Sequence, residues 1–238
     1  MFNLVNAHEK EMFVHKSRMH IRAGLTAAML LVALNFAPAA AAQNGHHVPA
    51  GKTVFTNVIR ILFNPAVTPP VVHAEGYLPT IEGIPGLLFA GAPGEATAYF
   101  TVSFDASNGL LLPNGDGTSV AVLPSNKLVY VYFNASPAAD WNNPASFSAG
   151  QLVATFRSTT GTQVNSGPVS QVTQSELLVW SRPFLFKGHV YDFANLVGHG
   201  VTLAGMVSNV PLADAGTPDF PLVFAGGGSA TALGGKNP

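Results

Sequence analysis

Few residues in this chain could do chemistry, and the stretch from Ser181 to His199 is the one most worth weighing. On an unbroken strand, even spacing puts Glu176, Leu178, Trp180, Arg182, Phe184 and Phe186 on one face. An arginine among aromatics is unusual, because a buried charge must be paired. Three arrangements satisfy it. The guanidinium reaches the sheet rim with its stem over Trp180, or it pairs with Glu176 or Glu95, or it sits in a cavity and holds an anionic or carbonyl group of a ligand.

After the pair Lys187-Gly188, His189, Tyr191 and Phe193 alternate with Val190 and Asp192, and His199 lies between Gly198 and Gly200. A histidine with an aspartate can serve as a general base and its orienting partner. His189 and Asp192 are an odd number of residues apart and face opposite sides of a strand, whereas His199 is freer to meet Asp192. Tyr130 and Tyr132 share a face of their own. The candidate ligand-binding set is therefore Arg182, Trp180, Tyr130, Tyr132, His189 and His199, on the condition that they converge on one concave, partly polar pocket. No catalytic residue follows from this set.

Other motifs are weaker. Gly227-Gly228-Ser229-Ala230-Thr231 lacks the closing glycine of a nucleophile elbow and has no helix after it. The absence of cysteine excludes thiol catalysis. No H-x-x-x-H or H-E-x-x-H spacing occurs, so no metal site is expected. His46-His47 sits on a segment read as flexible, which preorganises nothing. Asn114-Gly115-Asp116-Gly117 lacks the rest of a calcium loop and reads as a turn. No cofactor is implied.

The elements that must position these residues have a period of two. In residues 95–105, Ala96, Ala98, Phe100, Val102 and Phe104 alternate with Glu95, Thr97, Tyr99, Thr101, Ser103 and Asp105, which predicts a strand with one wet face. Residues 127–134 are apolar on both faces, with Val129, Val131 and Phe133 opposite Leu128, Tyr130 and Tyr132. That predicts a strand covered on both sides, or one whose tyrosine face lines a cavity. Residues 151–158 are expected to bury Leu152, Ala154 and Phe156. Lys187-Gly188 reads as a hairpin turn. Some nine to eleven strands follow, mostly antiparallel because few connections can hold a crossover helix. The expected fold is all-β, a mostly antiparallel barrel, with a β-sandwich as the alternative. Closure removes exposed edges in a chain with few charges to guard them.

Only 10% of the 238 residues are charged, and 24 Gly and 18 Pro punctuate the strands. Lys16, Arg18 and Arg22, then an uncharged run over 23–36, then Ala40-Ala41-Ala42 read as a signal peptide over residues 1–42. A start at Met19 would give it a more usual length. Beyond it are expected a flexible arm (43–51), a single β domain (52–226) and a loose Gly-rich tail (227–238). The run is too short for a permanent membrane anchor. Without the leader, seven basic and ten acidic residues leave a net charge of −3, which argues against nucleic acid as a partner. An outer-membrane barrel is disfavoured, since residues 127–133 have no polar face. The expectation is an exported protein, periplasmic or extracellular, with no membrane span after leader removal. It would bind a small apolar ligand or a protein partner without catalysis. The alternative is a barrel enzyme, an isomerase, cyclase or hydrolase of an apolar small molecule.

Overall fold

Period-two alternation carries through to a strand ladder in the computed structural model, which describes residues 47–68, 70–106 and 110–234. The leader, residues 1–42, lies outside the described residues. The strands are β1 (Thr53–Asn64), β2 (Val71–Ile81), β3 (Phe100–Ala106), β4 (Leu110–Pro113), β5 (Ser119–Leu123) and β6 (Leu128–Phe133). They continue with β7 (Gln151–Ser166), β8 (Val169–Ser181), β9 (Phe184–Phe186), β10 (His189–Tyr191), β11 (Gly200–Ser208) and β12 (Leu222–Ala232).

Eight strands close into an antiparallel barrel in the order β7-β6-β3-β2-β1-β12-β11-β8, with β8 pairing back onto β7. The barrel, not the sandwich, is therefore the fold. Closure depends on the length of β7. Its first half pairs with β6, and its second half, from Gly161, pairs with β5 of the β4–β5 hairpin. Gly76 and Gly228 let neighbouring strands approach where the wall curves. A Cβ at Gly76 would overlap the Val58 carbonyl oxygen, and one at Gly228 would overlap that of Ala204.

The two ends of the barrel differ. At one end, the long connections over 82–99 and 182–199 pack together into a plug, while the segment over 134–150 lies across the outer face of β2 and β3, with the Phe147 carbonyl over Thr101. Phe184 lies 5.4 Å from both Phe100 and Phe133, ring centroid to centroid, and Phe186 lies 5.6 Å from Phe100. Each phenylalanine buried this way contributes ~1.5–3 kcal/mol. The plug includes one short helix, α1 (Phe193–Val197), where residue 193 was expected to end a strand. The Asp192 side chain caps it, accepting from the Ala194 N–H at 2.9 Å.

Other expectations are also corrected. Residues 95–99 are not strand: Glu95–Thr97 form a 3-10 turn, and Tyr99 N donates to Leu88 O. The outer face of β3 is covered over Thr101, which donates to the Phe147 carbonyl at 2.6 Å, and over Ser103, and stays wet only at Asp105. In β7 the ladder slips at Val153, so Val153 and Ala154 are both fully buried and strict alternation fails there. The arm is not loose at its described end, since Val48 is buried and its N–H donates to Leu196 O. Nor is the Gly-rich segment a loose tail from 227 onward. Gly226–Thr231 pair with both β1 and β11 inside the barrel wall.

Candidate functional site

The barrel encloses a cavity of about 580 Å3 that runs from the plug towards the opposite end. Its floor is the apolar contact of Phe55, Leu78, Val131 and Phe156, and Phe156 in turn meets Phe193 of the plug at 6.3 Å. Strand parity decides the walls. Ile59, Ile61, Val72, Val102, Phe104 and Val129 make an apolar side from β1, β2, β3 and β6. The side built by β7 and β8 is polar, with Ser158, Gln163, Asn165, Gln174 and Glu176. The outward positions of those two strands carry residues such as Thr155, Arg157, Gln171, Thr173 and Ser175. An outer-membrane barrel has the reverse arrangement, apolar outside and polar within.

Most of the polar wall is already committed. Gln163 donates to Asn165 Oδ1 at 2.7 Å, and Asn165 donates to Ser119 Oγ at 3.0 Å. Ser170 Oγ lies 2.6 Å from Asn165 Oδ1 and 2.5 Å from Asn209 Oδ1. This network ties β5, β7, β8 and the end of β11 together at the end away from the plug. Gln174 donates to Thr159 O, and Ser158 Oγ accepts from Lys127 N.

Glu176 is different. It is 5% exposed and pairs across the ladder with Ser158 and Val201. Among the described residues nothing donates a hydrogen bond to its carboxyl, and burial pushes its pKa up to about 7. Asn57, on the β1 wall, has a buried Oδ1 that also lacks a partner among the described residues.

A second polar cluster sits on the outer face. Glu75 is fully buried there and neither carboxylate oxygen has a hydrogen-bond partner among the described residues. Burial pushes its pKa up to about 7 against the opposing pull of Arg60. Arg60 lies 4.5 Å over the Trp141 ring. His73 bridges towards this glutamate, with Nε2 3.8 Å from Glu75 and Nδ1 2.9 Å from Asp105.

None of the six residues singled out in the sequence lines the lumen, and they do not converge. The ladder slips at Val179, where Thr155 faces Trp180 but Phe156 faces Leu178, and β8 ends at Ser181. The slip turns Leu178 inward and Trp180 outward, so the common face expected for Glu176, Trp180 and Arg182 does not exist. Arg182 is exposed just past the strand end, with its N–H donating to Val153 O. Trp180 and His199 do meet, in a shallow outer groove with Arg157 and Leu177. Tyr130 and Tyr132 lie on the outer face of β6, ring centroids 6.4 Å apart, opposite the lumen-lining Val129 and Val131. His189 is exposed on the β9–β10 hairpin. The lumen residues outside those six carry one signal in the sequence. Val172, Gln174 and Glu176 share parity on a strand with alternating polarity.

Among the described residues, no three His, Asp or Glu side chains are grouped to hold a metal ion, and no helix is long and apolar enough to cross a membrane. Comparison of the chain with protein-family models, with curated proteins and with solved structures yielded no match.

Proposed function

We propose that this protein is an exported, non-catalytic carrier that holds a small apolar ligand inside its barrel. One observation carries the reading: a lumen of about 580 Å3, floored by phenylalanines and apolar along the β1, β2, β3 and β6 wall. That volume falls within the ~300–1,000 Å3 range of small-molecule sites, and apolar lining with a few oriented polar groups is their usual composition. The basic, apolar and Ala-rich leader supports export to the periplasm or beyond.

The test is native mass spectrometry of the protein purified from an exporting bacterial host, together with organic extraction of the same sample. The expected result is a bound apolar molecule that Val102→Trp, which fills the lumen, no longer retains. Equal retention by the wild type and the filled variant would overturn the reading.

A further inference from the structure

Carrier function leaves open what kind of head group the lumen recognises. Two polar groups facing the cavity have no partner among the described residues: the Glu176 carboxyl and Asn57 Oδ1. Both are acceptors when Glu176 is ionised, and the protein spends its nearby donors elsewhere. The Gln174 amide donates to Thr159 O, and the Ser158 hydroxyl points to Pro124 O. Lys127 also lines the lumen but makes no ion pair with Glu176. A buried carboxylate without a counter-charge is expensive to keep, and the expense is recovered when a ligand brings both the charge and the hydrogen bonds.

We propose, building on the carrier reading, that the lumen selects amphiphilic amines, whose alkyl body lies along the apolar wall and whose ammonium group pairs with Glu176. An ammonium offers three donors and one positive charge, which matches an ionised carboxylate with two free acceptor oxygens. The depth suits a medium-length chain. From Glu176 to Ser170 at the start of β8 is six residues, ~15 Å along the axis of a barrel with ordinary strand rise and tilt. A fatty acid fits less well at that depth, because its carboxylate would meet a carboxylate.

The experiment is displacement of the neutral fluorophore N-phenyl-1-naphthylamine at pH 8 by decylamine, decanol and decanoate, each below its micellar concentration. The full-length protein as exported is compared with Glu176→Gln and Lys127→Gln. Decylamine is expected to displace the probe at a concentration at least tenfold lower than decanol or decanoate, and Glu176→Gln to collapse the gap between amine and alcohol. Equal potency of amine and alcohol in the wild type would overturn amine selection and leave the carrier reading intact. So would a preference for decanoate that Lys127→Gln removes. If the fluorophore binds the wild type no better than Val102→Trp, the carrier reading falls, and amine selection falls with it.

Discussion

Phe55 and Phe156 meet edge to face across the bottom of the lumen, with ring centroids 6.3 Å apart and planes inclined by 62°. Phe156 also contacts Phe193 on its far side, so a single side chain is both the floor of the cavity and the roof of the plug. The contact separates the part of the barrel that is packed from the part that is hollow.

Phe156→Ala is therefore expected to cost ~3–5 kcal/mol of folding stability, as large-to-small changes at fully buried aromatics do. Urea denaturation followed by tryptophan fluorescence measures it. A loss below ~1 kcal/mol would mean that the floor collapses onto the gap instead of staying open.

Glu176 gives the fold a pH dependence with a definite sign. Its folded pKa of about 7 lies above the ordinary 4.5 of a free glutamate, so between these limits the native state holds a proton that the unfolded chain has released. Stability falls as pH rises from 4.5 towards 7 and levels off above. Glu75, raised to about 7 by burial against the pull of Arg60, adds to the same slope. For Glu176 the full shift corresponds to roughly 3 kcal/mol. The empty wild type is expected to unfold at lower urea concentration at pH 8 than at pH 5. Glu176→Gln should flatten part of that difference and raise the midpoint at pH 8. Equal wild-type midpoints at the two pH values would contradict both raised pKa values.

The sequence predicts what a single strand decides and misses what its neighbours decide. The parity of Val102 and Phe104 against Thr101 and Ser103 holds, because it needs only one pleated strand. The Lys187-Gly188 hairpin holds because its turn needs two positive φ values, and Lys187 at 49° and Gly188 at 82° supply them. Residues 127–134 are apolar on both faces, as expected. Which face lines the cavity depends on the segment over 134–150, which lies across the outer side of β3 and its neighbours. The Val179 slip that separates Trp180 from Glu176 is a property of the β7–β8 ladder, and no pattern within β8 announces it. Within its own strand Glu176 therefore reads as a partner for Arg182, whereas closure of the barrel makes it a lumen residue.

The leader makes a separate prediction. Lys16, Arg18 and Arg22, the uncharged run over 23–36 and Ala40-Ala41-Ala42 predict cleavage before Gln43. The intact mass of protein recovered from the periplasm or medium of an expressing bacterium is expected to begin at Gln43. A mass that retains residues 23–42 would contradict a cleaved leader.

The C-terminal segment separates the sequence expectation from the structure most sharply. Composition alone reads residues 227–238 as a dispensable tail, and such tails are tolerant of truncation. In the fold, Gly226, Gly227 and Gly228 pair with Ile59, Val58 and Asn57 on one side and with Val207, Met206 and Gly205 on the other. Ala230 and Ala232 are buried in the core, and Leu233 N donates to Gly200 O. A chain ending at residue 226 would lose half of β12, leave β1 and β11 with unpaired edges, and open the barrel beside Glu176. Orphaned edge groups and lost closure cannot be repaired locally. The truncated protein is therefore expected to lack a cooperative thermal transition and to aggregate. A cooperative melt from the chain ending at 226 would show that β12 is dispensable and that the barrel does not need to close.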